Sequence, residues 1–224
     1  MLGRAILQTA VIAVLFGLML FLPAGRLDWL QGWAFIGLFV VSSVAMATGL
    51  ALTDPALLKE RTSVSGGREL KPWDRVFFAL LPLGVVAWFV GMGWEARAGA
   101  QAWGIAGQVL GGAMQMACMG IAWLTFRVNS FAAPAVQVQS DRGQQVIQTG
   151  PYAIVRHPMY AGALLWMIGA PLLLGSRFGL IGSALLILLV AVRAVGEEKV
   201  LAEGLEGYAD YKQKVRFRLL PGVW

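Results

Sequence analysis

The stretch GPYAIVRHPMY, residues 150–160, concentrates polar chemistry in a chain that is otherwise mostly apolar. It contains the guanidinium of Arg156, two tyrosine hydroxyls and His157, the one histidine of the sequence. Pro151 and Pro158 fix their own φ and bias the residues before them away from helix. The stretch therefore predicts a shaped connector between helices, with groups suited to an anionic or polar ligand. Such residues are also typical of a membrane-interface loop that binds no ligand.

The composition around this stretch indicates an integral membrane protein. Of 224 residues, 58% are hydrophobic and 13% charged, and the mean hydropathy is +0.69. Soluble domains carry about 25% charged residues. Cys118 is the one cysteine, so an intramolecular disulfide is excluded, and without a Cys/His cluster no zinc or iron–sulfur site is predicted. The net charge is +6, and the basic residues lie in short loops between the apolar runs. This arrangement favours contact with anionic lipid headgroups over binding of nucleic acid.

Apolar runs predict an all-α fold with four transmembrane helices followed by a helical hairpin. The predicted spans are 5–22, 33–52, 76–94 and 103–124, and the hairpin arms are 161–174 and 178–195. The first run is interpreted as a retained helix rather than a signal peptide, because another span follows at once. Pro82 is expected to kink the third span, and Gly107, Gly111 and Gly112 to form a helix-packing face. The whole chain is predicted to be one membrane domain, 1–224.

Three polar segments complete the prediction. Residues 53–75 are predicted to be a loop that opens with an Asp-Pro break and turns at 65–67. Residues 125–160 form a connector too long to be a simple loop, with extended backbone at 136–138 and a turn at 141–143. Beyond Gly196, apolar positions from Val200 to Val215 predict an amphipathic helix that lies at the membrane surface or caps the site.

Two blocks of the second half resemble a family of membrane enzymes. Residues 150–160 resemble the GPYxxvRHPxYxG signature of the isoprenylcysteine carboxyl methyltransferase and phospholipid methyltransferase group. Residues 197–201, with Tyr208, Tyr211 and Pro221, are similar to that group's EExxL…Yx₂Y…P pattern. The loop DPALLKER, residues 54–61, resembles a loop of prokaryotic members. The resemblance covers 125–221 well and the first half mainly in hydropathy.

The resemblance implies that the second half, 125–221, binds S-adenosylmethionine and transfers its methyl group to a lipophilic acceptor from the bilayer. The implied acceptor is an isoprenylcysteine-type carboxylate, with a phospholipid amine or a lipophilic thiol as alternatives. The implied cofactor-binding residues are Gln139, Thr149, Gly150, Pro151, Tyr152, Val155, Arg156, His157, Pro158, Tyr160, Glu197 and Glu198. Arg216 is expected to orient an acidic acceptor, and Asn129 is a further candidate.

The same residues suit that cofactor on chemical grounds. Carboxylates accept hydrogen bonds from ribose hydroxyls or an ammonium, whereas arginine and histidine bind a carboxylate. Glutamates in the first turn of a helix can instead be ordinary solvated residues that favour the helix dipole. Arg156 can likewise be an anchor for lipid phosphate, so the sequence leaves both interpretations open.

Other functional classes agree less well with the sequence. Membrane sterol reductases use NADPH and carry a similar RHPNYxGE pattern, but Met159 and Ala163 stand here in place of its Asn and Glu. A strand–GxGxxG–helix unit is missing, which excludes a soluble Rossmann-type methyltransferase. A lipid-binding protein without enzymatic activity is the third alternative, and the paired glutamates together with the single histidine argue against it.

The distribution of Lys and Arg predicts the orientation. With six crossings and a cytoplasmic N-terminus, fifteen of the 18 basic residues lie inside and three, Arg26, Arg97 and Arg177, lie outside. The signature and the C-terminal segment then share the cytoplasmic face of what we predict to be a prokaryotic inner-membrane protein.

This orientation predicts which loops are accessible from outside the cell. Engineered cysteines near Gly25 and Gly99 should react with an impermeant maleimide on intact cells, whereas a cysteine at Ser65 should react only after permeabilisation. Labelling of a cysteine at Ser65 in intact cells would show that the orientation is the opposite of the one predicted.

Overall fold

Eight α-helices dominate the computed structural model, which describes residues 1–63, 72–99, 102–132, 139 and 142–224. Their bounds are Leu2–Ala24 (α1), Leu30–Thr53 (α2), Pro55–Thr62 (α3), Pro72–Arg97 (α4), Gly104–Val128 (α5), Pro158–Leu174 (α6), Arg177–Gly204 (α7) and Tyr208–Lys214 (α8). A short 3₁₀ helix, Gly150–Ala153, precedes α6. The predicted all-α fold is confirmed, since the described residues contain no β-strand.

Five helices, α1, α2, α4, α5 and α7, are long and apolar enough to cross a membrane. Large apolar side chains such as Leu7, Val41 and Leu83 are exposed on their outer faces. In a bilayer these faces contact lipid rather than water. The chain is therefore a multi-pass membrane protein. Helix α6 has 17 residues and is about 26 Å long, which is shorter than a hydrocarbon core of about 30 Å. It corresponds to the short first arm of the predicted hairpin, residues 161–174.

The polar segment 53–75 contains a helix that the sequence analysis did not predict. Helix α3 begins after Asp54, whose Oδ1 accepts a hydrogen bond from the Leu57 N–H at 2.9 Å, and Pro55 stands at its first position. Leu57 and Leu58 are buried. An N-cap Asp followed by Pro is a helix-start signal, so this helix was detectable from the sequence. The predicted turn at 65–67 lies outside the described residues.

The segment from Val200 to Val215 does not form the single amphipathic helix that was predicted, although its apolar residues do pack on one side, where Tyr208 and Tyr211 line a cavity. Helix α7 passes through Gly196 without interruption and ends at Gly204, and Gly207, with φ of 79°, separates it from α8. A glycine inside a helix costs only about 1 kcal/mol, and the Trp73 ring packs directly over Gly196. Glu197 and Glu198 therefore belong to the last turns of a long helix and not to the first turn of a new one.

Helices α5 and α6 approach each other at backbone distance. A Cβ atom at Gly111 would lie 2.4 Å from the Leu173 backbone nitrogen, and one at Gly169 would lie 2.7 Å from the Gly111 carbonyl oxygen. Of the predicted packing glycines, Gly111 thus makes the close helix contact, whereas a Cβ at Gly112 would meet Leu38 at an ordinary 3.6 Å. Small residues at such crossings are typical of membrane helix pairs.

An aromatic core holds the other helices around this pair. It joins α1, α2, α4, α6 and α7 through buried side chains that include Phe16, Phe35, Trp88, Phe89 and Met167. This arrangement leaves the polar ends of α5, α6 and α7, and the segments that follow them, to form the site.

The close α5–α6 contact predicts a position-specific effect of one methyl group. Gly111→Ala should lower the thermal unfolding temperature in detergent, because overpacking costs about 1 to 3 kcal/mol. Gly120→Ala on the same helix is the control: Gly120 is exposed and a Cβ there meets nothing within 4 Å, so the change should be neutral or stabilising. Equal effects of the two substitutions would contradict the packing.

Candidate active site

A buried carboxylate, Glu198 of α7, ties the signature to the C-terminal segment. Its Oε1 accepts a hydrogen bond from Arg156 Nε at 2.6 Å and lies 3.3 Å from His157 Nε2. Its Oε2 accepts from Arg218 Nε at 3.1 Å and lies 3.7 Å from Lys212 Nζ. The side chains of Glu198 and Arg156 are 3% and 6% exposed, so this is a desolvated ion pair with further basic partners.

Backbone hydrogen bonds reinforce the same junction. The N–H groups of Arg156 and His157 donate to the carbonyls of Phe217 and Arg218, both at 2.9 Å. Arg156 Nη1 also donates to the carbonyls of Val215 and Arg216, at 2.7 and 2.8 Å. The signature is thus a rigid connector, and Pro158 begins α6 where an N–H would have no helical partner.

Beside this junction lies a polar cavity of about 370 Å³, within the range of small-molecule sites. Its walls come from α3, the start of α4, the connector before the signature, the signature itself, α6, α7 and α8. Glu197, Arg156 and His157 all line it, whereas Glu198 does not. The two glutamates therefore have different surroundings: Glu198 holds the fold together and Glu197 faces the cavity.

Glu197 is held by one partner and keeps one oxygen free of donors. Tyr160 donates its hydroxyl to Glu197 Oε2 at 2.6 Å, and His157 Nδ1 is 4.0 Å from the same oxygen. The rings of His157 and Tyr160 stack with centroids 5.4 Å apart. Oε1 of Glu197 receives no hydrogen bond from the described part of the chain. It can therefore accept from a ligand hydroxyl or ammonium.

Tyr208 of α8 lines the cavity with an unsatisfied hydroxyl. The residue is 4% exposed, and its hydroxyl has no hydrogen-bond partner among residues whose positions are described. Burial raises the pKa of Tyr208, so the group stays a neutral donor. Its neighbour Tyr211 is satisfied instead, donating to the Tyr152 carbonyl at 2.8 Å. A buried unpaired hydroxyl on a cavity wall suits contact with a bound ligand.

The connector contributes a second set of oriented groups. Asn129, which ends α5, donates from Nδ2 to the Tyr152 hydroxyl at 2.6 Å, and its Oδ1 accepts from the Phe131 N–H. Burial raises the pKa of Tyr152 to about 12, so its proton remains available for donation. The Gln139 amide is used internally, donating to the Phe131 carbonyl at 2.7 Å and accepting from Arg142.

The structure describes only part of the connector whose backbone conformation was predicted. Arg142 and Gly143, with φ of 64° at the glycine, form a turn where one is predicted. Asp141 and the predicted extended backbone at 136–138 lie outside the described residues.

Arg193 of α7 also lines the cavity, and the sequence analysis counted it only as a basic residue. It pairs with the fully buried Asp74 of α4, Nε to Oδ1 at 3.2 Å, and its guanidinium lies 4.3 Å from the centre of the Phe77 ring. A charge inside an apolar span is rare and usually marks a partner or a site. The charge inside an apolar run was visible in the sequence. Its partner was not, because Asp74 lies 119 positions away.

The structure gathers most of the predicted site residues. Those that line the cavity are Asn129, Gln139, Tyr152, Arg156, His157, Pro158, Tyr160 and Glu197. Predicted residues outside its wall are Thr149, Gly150, Pro151, Val155, Glu198 and Arg216. The Arg216 side chain is exposed, and only its carbonyl reaches the junction. Gly150, with φ of 59°, shapes the turn that presents Tyr152.

A second cavity of about 490 Å³ lies among α1, α2, α3, α5 and α6. Its lining is mainly apolar, with residues such as Leu50, Leu58, Ala122 and Trp166. Arg61, Met159 and Ala163 belong to the walls of both cavities. A polar chamber and an apolar chamber thus share one wall.

The family model described as phospholipid methyltransferase matches residues 106–206. This part of the chain is similar to the phospholipid methyltransferase family. The resemblance to membrane methyltransferases that the sequence analysis described is confirmed. A search of curated proteins found no match to the sequence.

The matched range contains most of α5, the signature, α6 and α7, and with them Glu197 and Glu198. Arg61 and Tyr208 lie outside the matched range. The family match therefore does not cover those two parts of the cavity wall.

The junction predicts that Glu198 acts on stability. Glu198→Gln leaves the buried Arg156 without its carboxylate, and breaking such a pair costs about 3 to 5 kcal/mol. Thermal unfolding in detergent should show a large loss of stability. The control is Glu203→Gln, an exposed acid on the same helix, which should behave as wild type. A stable Glu198→Gln protein that has lost ligand affinity would instead indicate direct ligand contact by Glu198.

Proposed function

We propose that this protein transfers a methyl group from S-adenosylmethionine to a lipophilic acceptor drawn from the bilayer, with an isoprenylcysteine-type carboxylate as the favoured acceptor. The observation that carries the proposal is the shared wall between a polar cavity and an apolar cavity. A water-soluble cofactor and a lipid chain need different surroundings, yet their reacting atoms must meet. The match of residues 106–206 to a phospholipid methyltransferase family model supports the same conclusion.

The groups that line the polar cavity fit the cofactor. Glu197 Oε1 offers an acceptor for ribose hydroxyls or for an ammonium, and the Tyr208 hydroxyl offers an unpaired donor. Arg156 faces the cavity with its Nη2 outside the hydrogen bonds made by Nε and Nη1, which suits a carboxylate. The rings of Tyr152 and Phe77 supply apolar faces for a flat heterocycle.

Methyl transfer to a carboxylate mainly requires that the protein position the cofactor and the acceptor. When bound, S-adenosylmethionine supplies a methyl group that a carboxylate takes up as an ester, while the sulfonium becomes a neutral thioether and no proton is released. The chain's task is to hold both reactants in line and away from water, and such positioning can be worth several kcal/mol. The buried junction of Arg156 and Glu198 gives this wall its rigidity.

Methylation of a phospholipid amine is the second candidate, because the description of the matching family model names phospholipids as the substrate. An ammonium must lose a proton before it can accept a methyl group. Glu197 is the cavity carboxylate that such a proton can reach. A lipophilic thiol, reacting as its thiolate, remains the third acceptor in this class.

We also propose that the site faces the cytoplasm of a prokaryotic cell. Lys and Arg accumulate at the ends of the helices that carry the signature and the C-terminal segment, as the positive-inside rule expects of a cytoplasmic side. A cofactor made in the cytosol then reaches the polar cavity directly.

Cofactor binding is the test of this proposal. Isothermal titration of the purified protein should show binding of S-adenosylmethionine and no binding of NADPH. Glu197→Gln should weaken the affinity on the order of ten- to a hundredfold, the value of a hydrogen bond to a charged group. Its thermal stability should stay close to wild type, and Glu203→Gln should bind normally. Binding of NADPH in place of S-adenosylmethionine would favour a reductase.

A further inference from the structure

Arg61 occupies an unusual position at the shared wall of the two cavities. It is the second-last residue of α3, and its side chain lines the polar cavity and the apolar cavity alike. Met159 and Ala163, the other residues common to both walls, carry no charge. Arg61 is therefore the charged group at the boundary where a lipid chain would end and the polar chamber begin.

The guanidinium of Arg61 lacks an acidic partner among the described residues. Its Nη1 donates to the Ala132 carbonyl at 2.9 Å, and its Cζ lies 4.5 Å from the centre of the Phe126 ring. Arg156 and Arg193, the other arginines of the polar cavity, each pair with a buried carboxylate. Burial lowers the pKa of Arg61, yet an arginine remains protonated in proteins. A half-buried cation that has no acid beside it in the described part of the chain favours an anionic ligand.

Helix α3 holds this cation in a fixed place. Asp54 caps the helix and accepts a hydrogen bond from the Ser130 hydroxyl at 2.5 Å, which joins α3 to the end of α5. Gln8 of α1 donates to the Thr62 carbonyl at 3.0 Å at the other end of the helix. The buried Leu57 and Leu58 complete the attachment. The wall is thus preorganised to receive an anion, which lowers the entropy lost on binding.

We propose that Arg61 binds the anionic group of the methyl acceptor, with the acceptor's apolar chain lying in the cavity among α1, α2, α3, α5 and α6. This inference rests on the proposed function and names the residue that selects the acceptor. The shared chemistry is an oxyanion attached to an apolar chain. It is the reacting carboxylate in an isoprenylcysteine-type acid and the neighbouring phosphate in a phospholipid.

Binding of matched ligands tests the inference without relying on turnover. The probes are S-farnesyl-N-acetylcysteine and its carboxamide, which keeps the chain and removes the charge. Equilibrium binding to the full-length protein in detergent should favour the acid. Arg61→Gln should weaken binding of the acid on the order of ten- to a hundredfold and leave that of the carboxamide unchanged. Arg61→Lys should retain part of the preference, because it keeps the charge but not the fork geometry.

The control variant is Lys59→Gln, which removes an exposed cation from the same helix and should change neither ligand's affinity. Affinity for S-adenosylmethionine should be unaltered by Arg61→Gln, which separates acceptor binding from cofactor binding. Methyl transfer from labelled cofactor then distinguishes the two sources of oxyanion. A raised KM of Arg61→Gln with the farnesylated acid assigns the carboxylate, and a raised KM with phosphatidylethanolamine vesicles assigns the phosphate.

Two results overturn the inference and leave the proposed function intact. One is wild-type protein that methylates a lipophilic acid but binds acid and carboxamide equally, a result that does not depend on any variant folding. The other is Arg61→Gln protein that keeps the acid preference. Wild-type protein that binds no S-adenosylmethionine and methylates neither acceptor would instead refute the proposed function itself.

Discussion

The buried ion pair between Glu198 and Arg156 is the interaction on which the rest of the site depends. Three segments distant in sequence meet at it: the signature, the end of α7 and the tail after α8. Two charges in a desolvated junction are favourable only when geometry and additional hydrogen bonds compensate them. Here His157, Arg218 and the carbonyls of Val215 and Arg216 provide those contacts. The junction fixes the direction in which Glu197, one residue earlier, faces the cavity.

The distribution of charge follows from the apolar surroundings. Arg156 and Arg193 each have a buried acid, so they contribute rigidity to the wall of the polar cavity. Among the described residues, Arg61 contacts a carbonyl and a ring instead, and Glu197 accepts from a tyrosine hydroxyl with one oxygen and from no donor with the other. In a medium that penalises unpaired charge, the groups left incompletely satisfied are those with capacity for a ligand. They lie on the wall next to the apolar cavity or inside the polar one.

Several elements of this arrangement were predictable from local sequence. The apolar runs predict the long helices because lipid requires about 20 apolar residues per span. The paired prolines and glycine predict the rigid turn at residues 150–160, and Gly111 the close helix contact. Helix α3 was missed although Asp54-Pro55 is a start signal, because its polar composition suggested a loop. The break expected at Gly196 did not occur, since the Trp73 ring covers the glycine and the helix continues.

The sequence by itself determined the membrane class, the family that the second half resembles and the residues that carry polar chemistry, because composition, period and motif are local properties. Only the tertiary structure separated Glu197 from Glu198, paired Arg193 with Asp74 and brought Arg61 to the wall it shares with Met159. Those relations join residues tens to more than a hundred positions apart. Neighbouring residues on one helix face different surroundings, and the packing of other segments decides which of them is buried in a junction and which meets a cavity.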